Sequence, residues 1–258
     1  MNQIEKTDRE FEIAECFSNY LLRLGSKCIF FYNDSLKKGF IKSRLDTTRY
    51  SCSGQIRIKS KIKKRLGHYY FHKAVMLTLT FNPSLVSRLD AWGIVGKEIR
   101  RVENDINQHR KRKGIRKAAA YMEVKECGEN GYPHVHLVYP GLKYLADQEV
   151  IRKLWGQGHI KVNYGGSFKP ASYACKYISK MGVNDVGLMF MWWHKIKLYT
   201  FSRAFEYLPE KKGEGWKVLR IEDEEGRIHF PGLESVRAFI NMNCVGYSIE
   251  EGKIYEGG

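Results

Sequence analysis

Two histidines, His134 and His136, flank a single valine inside the apolar run from Tyr132 to Tyr139. In a β-strand, alternate side chains share a face, so both imidazoles point the same way. Burying them costs free energy unless each ring has a polar partner. Neutral imidazole is also a common metal ligand. The pattern predicts a strand that holds a divalent cation, with a satisfied core pair or a polar sheet face as the alternatives.

A carboxylate is placed to join these histidines. Residues 119–127 are typical of a strand, and they lead into a turn that ends with Gly131. A three-residue hairpin loop with that glycine in the left-handed region is favoured. Its register sets Glu126 opposite His134 and brings His136 diagonally within reach. One oxygen donor and two nitrogen donors suit Mg²⁺ or Mn²⁺ and leave coordination positions free for phosphate and water.

Other acidic and histidine side chains are weaker ligand candidates. Glu123 is a fallback, but its odd spacing from Glu126 puts it on the opposite face of the strand. His159 and His194 are expected at a strand end and on a helix surface. Without the histidines, Glu126 itself would be interpreted as a solvated hairpin carboxylate.

Two tyrosines and a lysine share one face of a predicted helix that starts at Pro170. Tyr173, Tyr177 and Lys180 are neighbours at helical spacing. A phenol is a weak nucleophile at its free pKa of about 10. Next to a lysine and a metal-bound phosphate, its attack on phosphorus becomes plausible covalent catalysis. The alternative is two half-buried aromatic rings and a solvated terminal charge.

The composition favours a polyanionic partner. The 258 residues include 44 Lys plus Arg against 28 Asp plus Glu, a net charge of +16. Phosphate contacts would make such binding strongly salt-dependent. Two basic runs are predicted to hold a nucleic-acid backbone, with solvated helix faces as the alternative. They comprise Arg57, Lys59, Lys61, Lys63, Lys64 and Arg65, and then Arg110, Lys111, Arg112 and Lys113.

The elements that must position these side chains alternate between strand and helix. We predict strands at Lys73–Phe81, Tyr121–Glu126, His134–Tyr139, His159–Tyr164 and Lys197–Ser202, and helices at Asn82 to about Gln108, Gln148–Trp155, from Pro170 onward, and Met189–Lys195. Near the N-terminus we predict a helix over Phe11–Leu24 and a strand over Tyr50–Lys59. One antiparallel sheet with helices packed on it is an α+β fold.

The chain is long enough for one sizeable core plus small additions. We divide it into an N-terminal extension (1–71), a core (72–204) and a C-terminal accessory segment (205–258). No stretch has the apolar length of a membrane span, and the polar N-terminus is not a signal peptide, so a cytoplasmic location is expected. The six scattered cysteines include no Cys-x-x-Cys, so reduced thiols are expected.

Three segments in this order resemble the HUH endonuclease superfamily, specifically rolling-circle replication initiators. The first motif of that family is similar to Met76–Phe81 (Met-Leu-Thr-Leu-Thr-Phe). The second is His134-Val135-His136, with Glu126 where virus initiators place a metal-binding glutamate. The third, Tyr-x-x-Lys, is Tyr177–Lys180. The resemblance covers about residues 72–204 and implies a fold in which the central hairpin carries the histidines and the tyrosine helix faces them.

The resemblance implies a metal-dependent, site-specific nuclease that nicks and rejoins single-stranded DNA through a 5′-phosphotyrosine. Such an enzyme starts rolling-circle replication of a plasmid or virus. Glu126, His134 and His136 would hold Mg²⁺ or Mn²⁺, Tyr177 would attack, and Lys180 would neutralise charge or position the metal. The implied partners are single-stranded DNA at a replication origin and, because no Walker A motif is present, a host helicase and polymerase. The protein would act as a monomer or homodimer without a membrane.

The spacing also leaves alternatives open. Tyr173 precedes Tyr177 by one turn, which is similar to the two-tyrosine initiators of small isometric phages, and Lys176 follows Tyr173 as Lys180 follows Tyr177. We expect Tyr177 to be primary, since single-tyrosine relatives keep the tyrosine before the final lysine. Rival functions are a single-tyrosine HUH transposase, a mobilisation relaxase, and a non-catalytic basic nucleic-acid-binding protein.

Overall fold

The computed structural model describes residues 3–66, 70–115, 119–181, 185–202, 217–222, 228–244 and 247–251. Its α-helices are α1 Gln3–Gly25, α2 Cys52–Leu66, α3 Arg88–Arg112, α4 Gln148–Trp155, α5 Pro170–Met181, α6 Asp185–Trp193 and α7 Leu233–Asn243. Its strands are β1 Cys28–Asn33, β2 Lys38–Ser43, β3 Ala74–Thr80, β4 Met122–Cys127, β5 Pro133–Pro140, β6 Ile160–Tyr164, β7 Tyr199–Phe201, β8 Lys217–Val218, β9 Ile221–Glu222, β10 Ile228–His229 and β11 Ser248–Glu251.

The central feature is a five-stranded sheet in the order β6-β3-β5-β4-β7. Every neighbouring pair in it is antiparallel. Helices pack against this sheet, so the predicted α+β class with a central antiparallel sheet is confirmed. The predicted strands around the histidines and the predicted helices α4 and α5 also occur where the sequence places them.

One face of this sheet is a conventional apolar core. Alternate residues of β3 and β5, including Leu77, Leu79 and Leu137, are fully buried against α3, whose Val95 and Ile99 are at most 1% exposed. Burying each such side chain stabilises the fold by about 1.5–3 kcal/mol. The opposite face, which carries the histidines, is therefore left free of the need to be uniformly apolar.

The β4–β5 hairpin has the predicted geometry. The amide of Gly128 donates to the carbonyl of Tyr132 at 2.8 Å, which leaves a three-residue loop over 129–131. Gly131 has φ of 81°, in the left-handed region that favours glycine. The loop therefore fixes the register of the two strands that carry the glutamate and the histidines.

Two helical boundaries differ from the prediction. The helix expected from Asn82 begins at Arg88, because the Ser87 hydroxyl accepts the amide of Asp90 at 3.2 Å and caps the helix there. The helix expected over Met189–Lys195 is Asp185–Trp193. It ends early because Lys195 has φ of 54°, a left-handed conformation that cannot continue a helix.

The strand predicted over Tyr50–Lys59 is wrong, because these residues enter α2. The Ser51 hydroxyl accepts the amide of Gly54 at 3.0 Å, as a helix cap does. The buried positions are Gln55, Ile62 and Leu66, at helical spacing, whereas Ile56 is 65% exposed. The alternation of isoleucine with basic residues thus belongs to an amphipathic helix.

The chain divides into two compact units, Met1–Ala14 with Lys59–Pro209, and Glu15–Ile58 with Glu210–Gly258. The first contains the five-stranded sheet and the whole of the predicted core except its edges. The second has a four-stranded sheet, β11-β2-β1-β8, on which α7 packs through Val236 and Phe239. The boundaries predicted at 71 and 204 stay a prediction.

No helix among the described residues is long and apolar enough to cross a membrane.

Candidate active site

The hairpin brings a glutamate and a histidine into direct contact. Glu126 pairs with His134 across β4 and β5, and Val124 pairs with His136. The diagonal neighbours meet: Nε2 of His136 lies 3.0 Å from Oε1 of Glu126. Both side chains are buried, at 7% and 8% exposure. The predicted register, and the predicted reach of His136 to Glu126, are confirmed.

A threonine from the neighbouring strand holds the other side of the same ring. β3 pairs Thr78 with His136, and the Thr78 hydroxyl oxygen lies 3.2 Å from Nδ1 of His136. Thr80 pairs with His134 in the same way, but its hydroxyl donates to the carbonyl of His159 at 3.2 Å. The sequence motif contains both threonines, yet its pattern alone assigns a contact to neither.

The charges around the pair favour an ionised carboxylate and a neutral imidazole. Burial acts to raise the pKa of Glu126, but the hydrogen bond and charge of His136, together with Lys180, outweigh it and lower that pKa. Burial lowers the pKa of His134, and His136 and Lys180 lower it further against the opposing effect of Glu126. A neutral His134 keeps a lone pair available for a ligand.

Both tyrosines of α5 lie on this side of the sheet. The Tyr177 ring centroid is 4.1 Å from that of His136, and the Tyr173 centroid is 6.2 Å away. The two tyrosine rings are 4.8 Å apart. Burial, and then a hydrogen bond with Tyr177, raises the pKa of Tyr173 well above its ordinary value. Tyr177 is therefore the tyrosine in closer contact with the histidine.

Local sequence explains where α5 starts and which side it buries. Pro170 occupies the first helical position, where its missing amide hydrogen is not needed. Just before it, Phe168 exchanges two backbone hydrogen bonds with Phe71 and packs its ring 5.3 Å from that of Tyr173. Ala174 and Ile178 are fully buried. The helix is thus fixed at its start and along its apolar side.

The end of α5 returns to the glutamate. Nζ of Lys180 lies 3.4 Å from Oε2 of Glu126 and 5.3 Å from the centre of the Tyr177 ring. Lys176 is 5.6 Å from the same ring. The Lys180 side chain is 55% exposed, whereas Tyr177 is 8% exposed. A positive charge at the surface thus lies beside a buried phenol and a buried carboxylate.

A cleft of about 450 Å³ opens at this end of the sheet. It is lined by Glu126, Cys127, Gly128, Glu129, Asn130, His134 and Lys180. The sequence predicted three of these as functional residues, whereas the hairpin loop residues were expected only to turn the chain. Gly128 is the most constrained of them, since a Cβ there would lie 2.7 Å from Nε2 of His134.

The three predicted metal ligands fit a cation in their chemistry and in their shared face. Glu126 supplies oxygen, His134 and His136 supply nitrogen, and the open approach at Gly128 leads to Nε2 of His134. In the described part of the chain, however, no three His, Cys, Asp or Glu side chains are gathered closely enough to hold a metal. The Glu126–His136 hydrogen bond joins two of the donors to each other.

The fallback glutamate lies elsewhere. Glu123 pairs with Leu137, on the face opposite the histidines, as the odd spacing predicted. Its carboxylate contacts Lys125 and accepts the Thr200 hydroxyl at 2.6 Å. His159 is an exposed residue just before β6, and His194 packs against Gly93 of α3.

The first basic run lies on α2, whose C-terminal part runs beside the tyrosine helix. The Cys175 thiol of α5 contacts the carbonyl of Lys59 at 3.7 Å, and the charges of Lys63 and Lys59 act on the pKa of that thiol, which burial raises. Lys63 and Lys64 are exposed.

The other members of this run differ in exposure. Arg57 is exposed and contacts the carbonyl of Thr47, and Lys61 is half-buried. The side chain of Arg65 falls outside the described residues.

The second basic run lies far from the cleft. α3 starts beside the hairpin loop, where Trp92 donates to the carbonyl of Gly131 at 2.9 Å, and runs for 25 residues, about 37 Å. At its far end Arg110 is buried and donates to the carbonyls of Tyr144 and Leu145 at 3.2 Å. Arg110 is therefore a structural residue, and the prediction that it contacts DNA is corrected.

The remaining three residues of the second run, Lys111, Arg112 and Lys113, are exposed.

A family model, described as a replication-associated protein of the ORF2 type, matches residues 74–182 of the chain. That segment extends from the first residue of β3 through α5, so it includes the hairpin, the cleft and both tyrosines. The description is consistent with a rolling-circle replication initiator. No curated protein and no solved structure matches the chain.

The contact at Gly128 predicts that Gly128→Ala displaces the His134 ring. The added methyl group would meet Nε2 at 2.7 Å, so either the ring moves or the fold loses about 1–3 kcal/mol to overpacking. NMR of the histidine ring signals, together with urea denaturation, measures both effects. Gly96→Ala is the control, because its Cβ would meet only Arg100, at 3.8 Å. Unchanged His134 signals and stability in Gly128→Ala would contradict the described cleft.

Proposed function

We propose that this protein nicks single-stranded DNA at a specific site and rejoins it through a phosphotyrosine, and that it thereby initiates rolling-circle replication of a plasmid or virus. The observation that carries this proposal is the convergence of Glu126, His136, Tyr177 and Lys180 on one face of the sheet. These residues supply, respectively, a carboxylate, an imidazole, a phenol and a positive charge. All four lie within the segment that matches the replication-associated family.

DNA as the substrate is supported by charge and by family. The net charge of +16 favours a polyanion, and α2 presents exposed lysines beside the helix that carries the tyrosines. Contacts of this kind hold phosphates without reading bases, so they position a strand. The origin sequence would then be recognised by other residues of the chain.

Glu126, His134 and His136 would hold the divalent cation, Mg²⁺ or Mn²⁺. When bound, such an ion polarises a phosphate and offsets negative charge on its oxygens. Coordination through Nε2 of His136 requires that nitrogen to give up its hydrogen bond to Glu126. Lys180, which now faces Glu126, has a long exposed side chain that can turn toward a phosphate instead.

The chain's own residues account for the bond changes. The phenolic oxygen of Tyr177 forms a bond to phosphorus while the bond from phosphorus to the 3′ oxygen breaks. The phenol loses its proton, and the departing 3′ oxygen takes up a proton to become a hydroxyl. One phosphodiester replaces another, so the reverse attack by a 3′-hydroxyl rejoins strands without ATP. Because Tyr177 is 8% exposed, DNA binding has to uncover its hydroxyl.

Tyr177 is proposed as the primary nucleophile because its ring is nearer to His136 and to Lys180. Tyr173 lies one turn away, against Phe168 and Tyr177. It is close enough to serve as a second nucleophile after the first cut. Its raised pKa makes it the poorer phenolate in the DNA-free protein.

Replacement of each tyrosine by phenylalanine tests these roles. Tyr177→Phe keeps the ring packing but removes the attacking oxygen, so the protein should fold and bind DNA but form no covalent adduct. Tyr173→Phe is the matched control, and it should still make the first cut. The measurement is incubation with a random single-stranded library and Mn²⁺, followed by mass spectrometry of the nucleotide-bearing peptide.

The location of the adduct separates the remaining possibilities. An adduct found only on Tyr173 would reverse the assignment. Loss of the second strand transfer in Tyr173→Phe would indicate a two-tyrosine enzyme. The absence of any adduct with the wild-type protein would favour a basic DNA-binding protein without nuclease activity.

The proposed cation gives a second prediction. EDTA should abolish nicking, and added Mn²⁺ or Mg²⁺ should restore it. His134→Ala should lose nicking but keep most of its DNA affinity, because that affinity comes mainly from phosphate contacts. The exposed His159 provides the control, since His159→Ala should nick normally. Full cleavage in the presence of chelator would overturn the metal requirement.

The two basic runs can be compared at equal charge. Replacing Lys59, Lys63 and Lys64 with Ala should weaken binding to all sequences and lower the salt slope by about 2, at about 0.7 per lost phosphate contact. Replacing Lys111, Arg112 and Lys113 removes the same charge at the far end of α3, so its effect should be much smaller. Affinities measured from about 50 to 200 mM salt decide this. Equal losses would show that both runs contact the DNA.

A further inference from the structure

His136 has a polar partner on each ring nitrogen. Nε2 lies 3.0 Å from Glu126, and Nδ1 lies 3.2 Å from the hydroxyl oxygen of Thr78. The two partners come from different strands, β4 and β3, which flank β5 on either side. The ring is therefore held from both sides of its own strand.

The two contacts define one orientation of the ring. A half-turn of the imidazole would place carbon atoms next to both Glu126 and Thr78 and would lose both hydrogen bonds. An ionised carboxylate only accepts, so Nε2 must carry the hydrogen. Nδ1 of the neutral ring then accepts, and the Thr78 hydroxyl donates to it. Thr78 thus selects a ring orientation as well as a tautomer.

A hydroxyl differs from the other available groups because it can both donate and accept. If the Nε2 lone pair is directed to a cation, the ring hydrogen must move to Nδ1, and that N–H then needs an acceptor. Thr78 can supply the acceptor by rotating its hydroxyl hydrogen away. Partners of this kind behind a ligand histidine commonly change metal affinity by about 10- to 100-fold.

We infer that Thr78 is a positioning residue, which fixes the His136 ring through Nδ1 and supports both of its neutral tautomers. The part of this inference that concerns a bound cation rests on the proposed function. The part that concerns the ring in the metal-free protein rests only on the observed contacts.

The adjacent threonine provides an internal comparison. Thr80 lies on the same strand and the same face, opposite His134, yet its hydroxyl donates to the carbonyl of His159. Two threonines in equivalent positions thus have different partners. A loss of hydroxyl at each position separates an effect on the ring from a general effect on β3.

The test uses the full chain with Thr78→Val, which keeps the branched shape, Thr78→Ser, which keeps the hydroxyl, and Thr80→Val. Nitrogen-15 NMR of the histidine rings without metal should show the Nδ1 signal of His136 shifted in Thr78→Val, with wild-type signals in the other two. Thr78→Ala repeats the loss of the hydroxyl if the valine variant does not fold. Mn²⁺ affinity, measured from the EPR signal of the free ion, should fall about 10-fold in Thr78→Val and be restored in Thr78→Ser.

The outcomes distinguish this inference from the proposed function. An unchanged Nδ1 signal in Thr78→Val, or the same shift in Thr80→Val, would overturn the positioning role. If the wild-type protein bound no Mn²⁺, the proposed metal site would fail, while the Nδ1 signal would still decide the role of Thr78. Equal Mn²⁺ affinity in wild type and Thr78→Val, with a shifted Nδ1 signal, would overturn the part that concerns the cation.

Discussion

The hydrogen bond between Glu126 and His136 is the contact on which the arrangement of the site depends. Two polar side chains can be buried together in the middle of a sheet because each satisfies the other. Removing either one would leave a buried polar group without its partner, at a cost of about 1–3 kcal/mol. The second carboxylate oxygen faces Lys180 at the end of α5. One carboxylate therefore links two strands of the sheet to the helix that carries the tyrosines.

The apolar face of the same strands makes this contact reliable. Val135 and Leu137 alternate with the histidines and are fully buried against α3. A slip of one residue in the register would put imidazoles into the apolar core and leucine into the cleft. The tight loop that ends at Gly131 adds a second constraint on the same register. The polar site thus depends on an ordinary hydrophobic core on the other side of the sheet.

Electrostatics gives the two sides of α5 different roles. Its buried side places two phenols beside His136, and its exposed lysines lie where a polyanion can approach. The lysines of α2 extend this positive region along the neighbouring helix. The basic end of α3 lies at the other end of the sheet, where Arg110 closes hydrogen bonds to backbone carbonyls. Similar runs of charge therefore differ in the surfaces that they present.

The sequence by itself determined the features that depend on neighbours along the chain. Alternation around His134 and His136, and the turn residues before them, were enough to predict the hairpin, its register and the reach of Glu126. Helical spacing likewise placed Tyr173, Tyr177 and Lys180 on one side of α5. Only the tertiary structure decided contacts between segments far apart in sequence. These are the partner that Thr78 chooses, the burial of Arg110 and the proximity of α2 to α5. Local pattern does not encode them, because each depends on which distant surface a side chain meets when the core closes.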